Sequence, residues 1–296
     1  MSQEPDSLHR FVFERLGVRG ELVRLDASFR AVLDRHPYPD PVQRPLGEAL
    51  AAVMLLTATL KFEGSLILQA QGEGPLRTLV AQGTHQRTIR GLARWDGDDL
   101  PDADPDGDLE RLFGTGRLVL TLDPDNGERY QGIVPLEGRS LGDAIEAYFS
   151  QSEQLPTRLW LAVDGGSAVG LMLQRTPGGS VDDDGWNRTT LLADTVTDHE
   201  LLGLPAMDLL RRLFHEEDVR LFEREPVAFR CGCSRGRIAE TLRALGRVEV
   251  DAMIDEMGAI DVTCEFCNRD YSFDAVDARE LFADAVVPAG TPQRQH

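Results

Sequence analysis

The chain has 296 residues, 42% of them hydrophobic and 27% charged, which is enough apolar material for a sizeable folded core and too much for a disordered chain. Its formal net charge of -19 and pI near 4.7 exclude a general nucleic-acid binder, which needs a basic footprint, and oppose docking on an anionic membrane. The same charge favours solubility.

Residues 1–178 are expected to form one α+β domain. In chain order, helices are predicted over Ser28–Arg35, Leu46–Thr59 and Leu141–Gln151. Strands are predicted over Ser65–Gln71, Leu76–Ala81, Arg117–Leu122, Gln131–Pro135 and Leu159–Val163. The turn sequences Gly72-Glu73-Gly74-Pro75 and Asp125-Asn126-Gly127 separate them. The longest uncharged apolar run, Ala49–Leu60, is too short to span a bilayer and reads as a buried helix. Met1–Arg10 is polar and lacks the apolar region of a signal peptide, so a cytoplasmic location with reduced thiols is expected.

Loop-like composition from Pro177 to Gly185 marks a boundary, and residues 179–226 read as a helical linker. Thr197 and Glu200 make a capping box, and Pro205 is expected in the first turn of a second helix. Leu209, Leu210, Leu213 and Phe214 form the apolar face of that helix. Residues 227–287, which hold all four cysteines of the chain, read as a small metal-binding region. There Ser234 caps a helix carrying Ile238, Leu242 and Leu245, and Val250, Met253, Ile254 and Met257 suggest a second. Asp274 caps a third, with Asp277 in its first turn and Leu281 and Phe282 facing in. So few large apolar groups make a thin core, and a structural zinc would supply on the order of 10 kcal/mol toward its folding. Residues 288–296 are expected to be a disordered tail.

All four cysteines, Cys231, Cys233, Cys264 and Cys267, fall in this last region, as a CxC pair and a CxxC pair. Zinc takes four soft ligands in a tetrahedron, and two short turns each present two thiolates. No histidine lies near either pair, so the expected zinc site is all-cysteine and closed, with no open position for hydrolytic chemistry. Two alternatives carry less weight. A pair of structural disulfides is disfavoured in a reducing compartment. A thioredoxin-like CxxC opens a helix, whereas this one sits between the strand-like runs Ile260–Thr263 and Tyr271–Phe273. Thiolates are the oxidisable form of cysteine, and a disulfide within CxC closes a very small ring whose strain eases its reduction. These features hint at a switch. Arg230, Arg235 and Arg237 flank the CxC pair, either as solvated charges or as groups that favour thiolate.

Other signals are set aside. Asp102, Asp104, Asp106 and Gly107 imitate a calcium loop, but Phe113 stands where the bidentate glutamate is needed. His215-Glu216-Glu217 lacks the second histidine of a zinc protease motif. No GxxxxGK[ST] phosphate cradle is present, so neither ATP hydrolysis nor other enzyme activity is expected.

The segments Cys231-Gly232-Cys233-Ser234-Arg235 and Cys264-Glu265-Phe266-Cys267-Asn268 occur together with Arg19-Gly20-Glu21-Leu22-Val23 and Leu55–Phe62. Glu128–Val134 and Ser152–Thr157 extend the pattern. From His9 to Phe282 the chain resembles the bacterial redox-regulated 33 kDa heat-shock protein family; Gly236 departs from it, where the family often has glutamate. The resemblance implies a large α+β domain, a helical linker and a small zinc-binding α+β domain. It implies one zinc ion held by Cys231, Cys233, Cys264 and Cys267 in a reduced, nearly inactive form. Oxidation would then join Cys231 to Cys233 and Cys264 to Cys267, release zinc, and loosen the linker and the zinc unit. The exposed apolar surface, expected over Asn187–Phe222 and the faces it covers, would hold unfolding client proteins without ATP. Dimerisation when oxidised and hand-off to an ATP-driven chaperone are further implications. The rivals are a zinc-stabilised regulatory module without redox switching and a thiol-disulfide oxidoreductase.

Overall fold

A computed structural model of the chain describes residues 5–97, 100–101, 109–177 and 184–283. The Asp102–Gly107 motif, the boundary residues 178–183 and the tail 288–296 lie outside the described residues. The chain divides into two compact units, residues 1–230 and 231–296.

The first unit opens with a hairpin of β1 (Ser7–Phe13) and β2 (Val18–Leu25), then two helices, α1 (Ala27–Leu33) and α2 (Asp40–Ala58). A meander follows of β3 (Gly64–Gly72), β4 (Leu76–Thr84) and β5 (Thr88–Trp95), then a short α3 (Leu109–Phe113), β6 (Gly116–Pro124) and β7 (Tyr130–Pro135). Next come α4 (Leu141–Tyr148) and the hairpin β8 (Thr157–Asp164) and β9 (Ser167–Arg175). Three helices, α5 (Gly185–Ala193), α6 (Asp198–Gly203) and α7 (Ala206–Phe214), lead to three short strands, β10 (Val219–Leu221), β11 (Glu225–Pro226) and β12 (Ala228–Phe229).

These strands form two sheets, ordered β10-β1-β2-β9-β8 with β11 also on β1, and β12-β5-β4-β3-β6-β7. The apolar run expected to be a buried helix is α2, which packs on strands of both sheets and is buried along nearly its whole length from Val42 to Ala58. A helix apolar on all sides is stable only when enclosed in this way. It starts six residues before the expected Leu46, with Pro39 as N-cap and Pro41 in the first turn, where no helical bond to its nitrogen is needed. Helix α4 stops at Tyr148, short of the expected Gln151, and one wide π-helical turn from Phe149 to Glu153 follows it. Strands β1, β2, β5 and β9 and the short β10 to β12 emerge in addition to those read from the sequence.

Helices α5 to α7 cover the first sheet on the face away from α2. Leu201, Leu209, Leu210, Leu213 and Phe214 pack there with Phe11, Phe13, Val18, Leu171 and Leu173. Phe214 meets Phe13 edge-on at a centroid distance of 5.0 Å. The expected capping box forms, Thr197 accepting from the Glu200 N–H. At the other end of α6, Arg24 of β2 donates to the carbonyls of Leu201, Leu202 and Leu204 at 3.1, 2.7 and 2.9 Å. That contact satisfies orphan helix-end carbonyls and fastens α6 to the sheet. Pro205 sits at the N-cap, with the helix starting one residue later than expected. The segment 219–229 then bridges the two sheets: β10 and β11 pair with β1, and β12 pairs with β5. The Glu225 carboxylate spans the same gap, 2.7 Å from Arg10 on one side and 2.7 Å from Arg87 on the other.

The second unit holds α8 (Arg235–Leu245), α9 (Arg247–Met257), the hairpin β13 (Ala259–Thr263) and β14 (Asp270–Asp274), and α10 (Ala275–Leu281). Ser234 caps α8 through the Arg237 N–H, as expected. Asp274 and Asp277 form a reciprocal box at the start of α10. Left-handed or extended glycines, Gly246 at φ 96° and Gly258 at φ 79°, end α8 and α9. The core is small: Ala239, Leu242, Val250, Ile260, Phe273, Ala278 and Leu281. Leu245 and Met257, expected on apolar stripes, are exposed.

Candidate metal centre

Two short turns build the site. The first is the extended segment Cys231–Cys233, which leads directly into the Ser234 cap of α8. The second is the connection between β13 and β14. There the Cys264 carbonyl accepts the N–H groups of Cys267 and Asn268 at 3.2 and 2.8 Å, and the Cys264 N–H donates to the Arg269 carbonyl at 2.9 Å. Asn268 takes a left-handed conformation, φ 54°, which closes the turn. The hairpin register Thr263↔Asp270 locks the ends of the turn together.

The structure brings together all four cysteines singled out from the sequence. One sulfur from each lies within 4.8 Å of every other. The shortest contacts run between the pairs: Cys231 to Cys264 at 3.6 Å and Cys233 to Cys267 at 3.4 Å. Zinc–sulfur bonds of about 2.3 Å require tetrahedral edges of about 3.8 Å, close to these separations and far longer than the ~2.05 Å of a disulfide. The four sulfurs are half-buried and unbonded to one another.

The thiols differ in their electrostatics. Burial raises the Cys233 thiol, but the Tyr271 hydroxyl, donating to its sulfur at 3.1 Å, and the neighbouring thiols bring it down to about 7. Burial pushes Cys267 up to about 12, helped by its hydrogen bonds to Cys233, Cys231 and Cys264. Cys264 is also raised, by burial first. Thiolate is thus favoured at Cys233 and opposed at Cys264 and Cys267, and four negative sulfurs this close would repel one another. A divalent soft cation removes that repulsion and accepts all four as ligands. The donor set and its spacing fit zinc.

Two of the flanking arginines, Arg235 and Arg237, have partners other than the sulfurs. Arg235 lies 4.2 Å over the Phe273 ring, pairs with Asp277 at 2.7 Å and donates to the Ser272 carbonyl. Arg237 donates to the Gly232 carbonyl at 2.8 Å, bracing the CxC turn through its backbone.

The family model described as Hsp33 protein matches residues 6–274. The chain belongs to the Hsp33 family. A protein named 33 kDa chaperonin from Nitrosococcus oceani is 58% identical over 289 residues, covering 98% of each chain. Another of that name from Methylobacillus flagellatus is 47% identical, covering 99% of each. The crystal structure of the 33 kDa chaperonin from Thermotoga maritima superposes with a TM-score of 0.80, covering 94% of this chain and 98% of that one; at 24% identity it supports the mixed α+β fold. Among the described residues no helix is long and apolar enough to cross a membrane.

Within this Hsp33 chain, Tyr271 is the site residue that sequence reasoning placed only in a strand. It shares a face with the buried Phe273, two residues on. A tyrosine on an inward face needs a partner for its hydroxyl, and next to a CxxC turn that partner is a sulfur.

Proposed function

We propose that the chain is a redox-regulated, ATP-independent holdase chaperone of the cytoplasm. The observation that carries the reading is the cluster of four cysteine sulfurs, at tetrahedral spacing, in a small-cored unit of an Hsp33 family chain. Cys231, Cys233, Cys264 and Cys267 are the ligands of one zinc ion in the reduced, inactive state. Bound zinc supplies the positive charge that holds four thiolates together and cross-links two turns of the second unit.

Oxidation acts on the sulfurs. Each disulfide forms as a thiolate pair gives up two electrons, and a peroxide accepts them with two protons from solvent to become two waters. The family resemblance assigns the pairs as Cys231–Cys233 and Cys264–Cys267. The turns support this assignment because each keeps its two cysteines on one short stretch of chain, although their sulfurs must move closer. Once paired, the sulfurs no longer serve as thiolate ligands, and the second unit is left with a core too thin to stay folded. Apolar surface then becomes available to unfolding client proteins. The segment Asn187–Phe222 is the proposed source, since α5 to α7 cover the aromatic face of the first sheet. A dimer of the oxidised form and transfer of clients to an ATP-driven chaperone belong to the same reading.

The test is light scattering from a heat-unfolding client. The protein is added either reduced and zinc-loaded or after peroxide treatment under mild heat. Suppression of aggregation by the oxidised form alone is expected, with mass mapping showing disulfides within each pair. Equal behaviour of both forms would overturn the redox switch.

A further inference from the structure

Strand β1 has β2 on one side; its other edge is covered by a strap of the same chain, residues 218–227, which carries β10 and β11. The pairing runs along all of β1 and past both its ends. The Glu14 N–H donates to the Asp218 carbonyl at 3.1 Å, the Phe222 N–H to the Arg10 carbonyl at 2.9 Å, and the Val227 N–H to the Asp6 carbonyl at 3.1 Å. Glu14 and Arg10 are thus hydrogen-bonded positions, and antiparallel alternation puts Val12 and Arg220 in the same class between them. Val219 and Leu221 fall at the other positions, opposite Phe13 and Phe11, where facing side chains come closest. Both pack against the aromatic cluster of the first sheet, whereas Arg220 and Phe222 are exposed. Pro226 stands opposite Ser7, a position that needs no N–H.

The strap is a replaceable occupant. Its two strands are three and two residues long. Phe11 pairs with Leu221 but Leu8 with Glu225, so the strap carries one residue more than β1 over that stretch and the ladder is interrupted. Its firmest polar tie is Glu225, held by Arg10 and Arg87. Arg220 adds surface contacts, to Glu14 at 3.1 Å and over the Phe222 ring at 5.2 Å. The strap overlaps the end of the segment Asn187–Phe222 and runs on toward Cys231, so the proposed switch loosens the chain on both its sides. Once lifted, it leaves the seven residues of β1 with an unpaired edge beside Phe11 and Phe13. Such an edge is a template for an extended chain.

We infer that the outer edge of β1 holds an unfolding client by strand addition: an extended client segment replaces the strap, pairs its backbone with β1, and sets apolar side chains two residues apart against Phe11 and Phe13. This rests on the redox-switched holdase reading and adds to it the mode of recognition. Backbone pairing selects for extended conformation and apolar alternation rather than for a particular sequence, which suits a holdase that meets many different chains. Folded proteins, whose backbone groups are already paired, offer little to such an edge. In the reduced form the strap keeps the edge closed.

The test uses the full chain, either reduced and zinc-loaded or oxidised by peroxide, and a fluorescein-labelled peptide with the strap's own sequence, residues 218–227, followed by fluorescence anisotropy. Saturable binding to the oxidised chain is expected, and binding about tenfold or more weaker to the reduced chain, whose tethered strap competes. Two N-methylated peptides separate backbone pairing from side-chain capture. Methyl groups on the amides of Arg220 and Phe222, which face β1, should weaken binding about tenfold or more as two backbone hydrogen bonds are lost. Methyl groups on the amides of Val219 and Leu221, which face away, should leave it nearly unchanged. The unmethylated peptide should also compete with a heat-unfolding client and raise its light scattering in the presence of the oxidised chain. Equal weakening by both methylation patterns, or no binding to an oxidised chain that still suppresses aggregation, would overturn strand addition. An affinity that falls as the oxidised chain is concentrated would give the edge to a second copy and overturn the client assignment. An oxidised chain that binds the peptide but does not suppress aggregation would fail the holdase reading, and the client assignment with it.

Discussion

Replacing Phe214 by alanine tests whether the α5–α7 layer is a separable cover. Phe214 is 2% exposed. It packs edge-on to Phe13 at 5.0 Å and tilted against Phe11 at 6.2 Å. A buried Phe→Ala change costs about 3–5 kcal/mol, of which the aromatic pairs account for roughly 0.5–1.5 kcal/mol each. At about 1.4 kcal/mol per decade, the population with α7 lifted should rise roughly 140- to 3700-fold. Hydrogen exchange in the reduced, zinc-loaded protein should therefore accelerate across Ala206–Phe214 while β2 and β9, in the middle of the sheet, keep their protection. Partial holdase activity without oxidation should accompany it. Unchanged exchange in α7 would refute the packing argument. Equal acceleration throughout the first sheet would show that the helices are an inseparable part of the domain.

Stripping metal with a chelator under reducing conditions should unfold the second unit, since structural zinc supplies at least about 10 kcal/mol; Trp95, Trp160 and Trp186, all in the first unit, should keep their native fluorescence. Tyr271→Phe removes the hydroxyl that donates to Cys233, so the reduced, zinc-loaded variant should release its metal to a competing chelator faster than the parent; equal release rates would show that this hydrogen bond does not support the site. Burial raises Glu21 and Glu48 to about 7 from an ordinary 4.5, with nearby arginines only partly opposing it. The native state then holds these protons more tightly than the unfolded chain, so their stabilisation is complete below about pH 4.5 and is lost as pH rises through about 7. Each contributes a swing of order 3 kcal/mol. Urea unfolding followed by tryptophan fluorescence should thus show Glu21→Gln gaining on the parent between pH 5.5 and 8.5; a constant difference over that range would contradict the assignment.

The cysteine site was legible because its chemistry is local. CxC and CxxC each place two sulfurs on one tight turn, and only the distance between turns remained for the fold to set. The caps at Ser234, Thr197 and Asp274 were legible for the same reason: a capping bond spans two or three residues. The enclosure of α2 followed from its composition, as a run from Ala49 to Leu60 with no charge has no face to offer water. The apolar stripe on α7 announced that it packs on something.

What it packs on was decided by tertiary structure. Phe11, Phe13 and Phe214 are adjacent only because a hairpin and a distant helix meet, and no local pattern encodes that pairing. The short strands β10 to β12 hold no periodicity of their own; two or three residues become strand because β1 and β5 offer them unpaired edges. Glu225 likewise becomes a bridge only when Arg10 and Arg87 arrive from separate sheets. The sequence by itself thus determined the α+β composition, the helix caps and the two cysteine turns, because those depend on neighbours along the chain. The order of the sheets, the aromatic cover and the strap on β1 depend on contacts between distant segments, which only the folded chain creates.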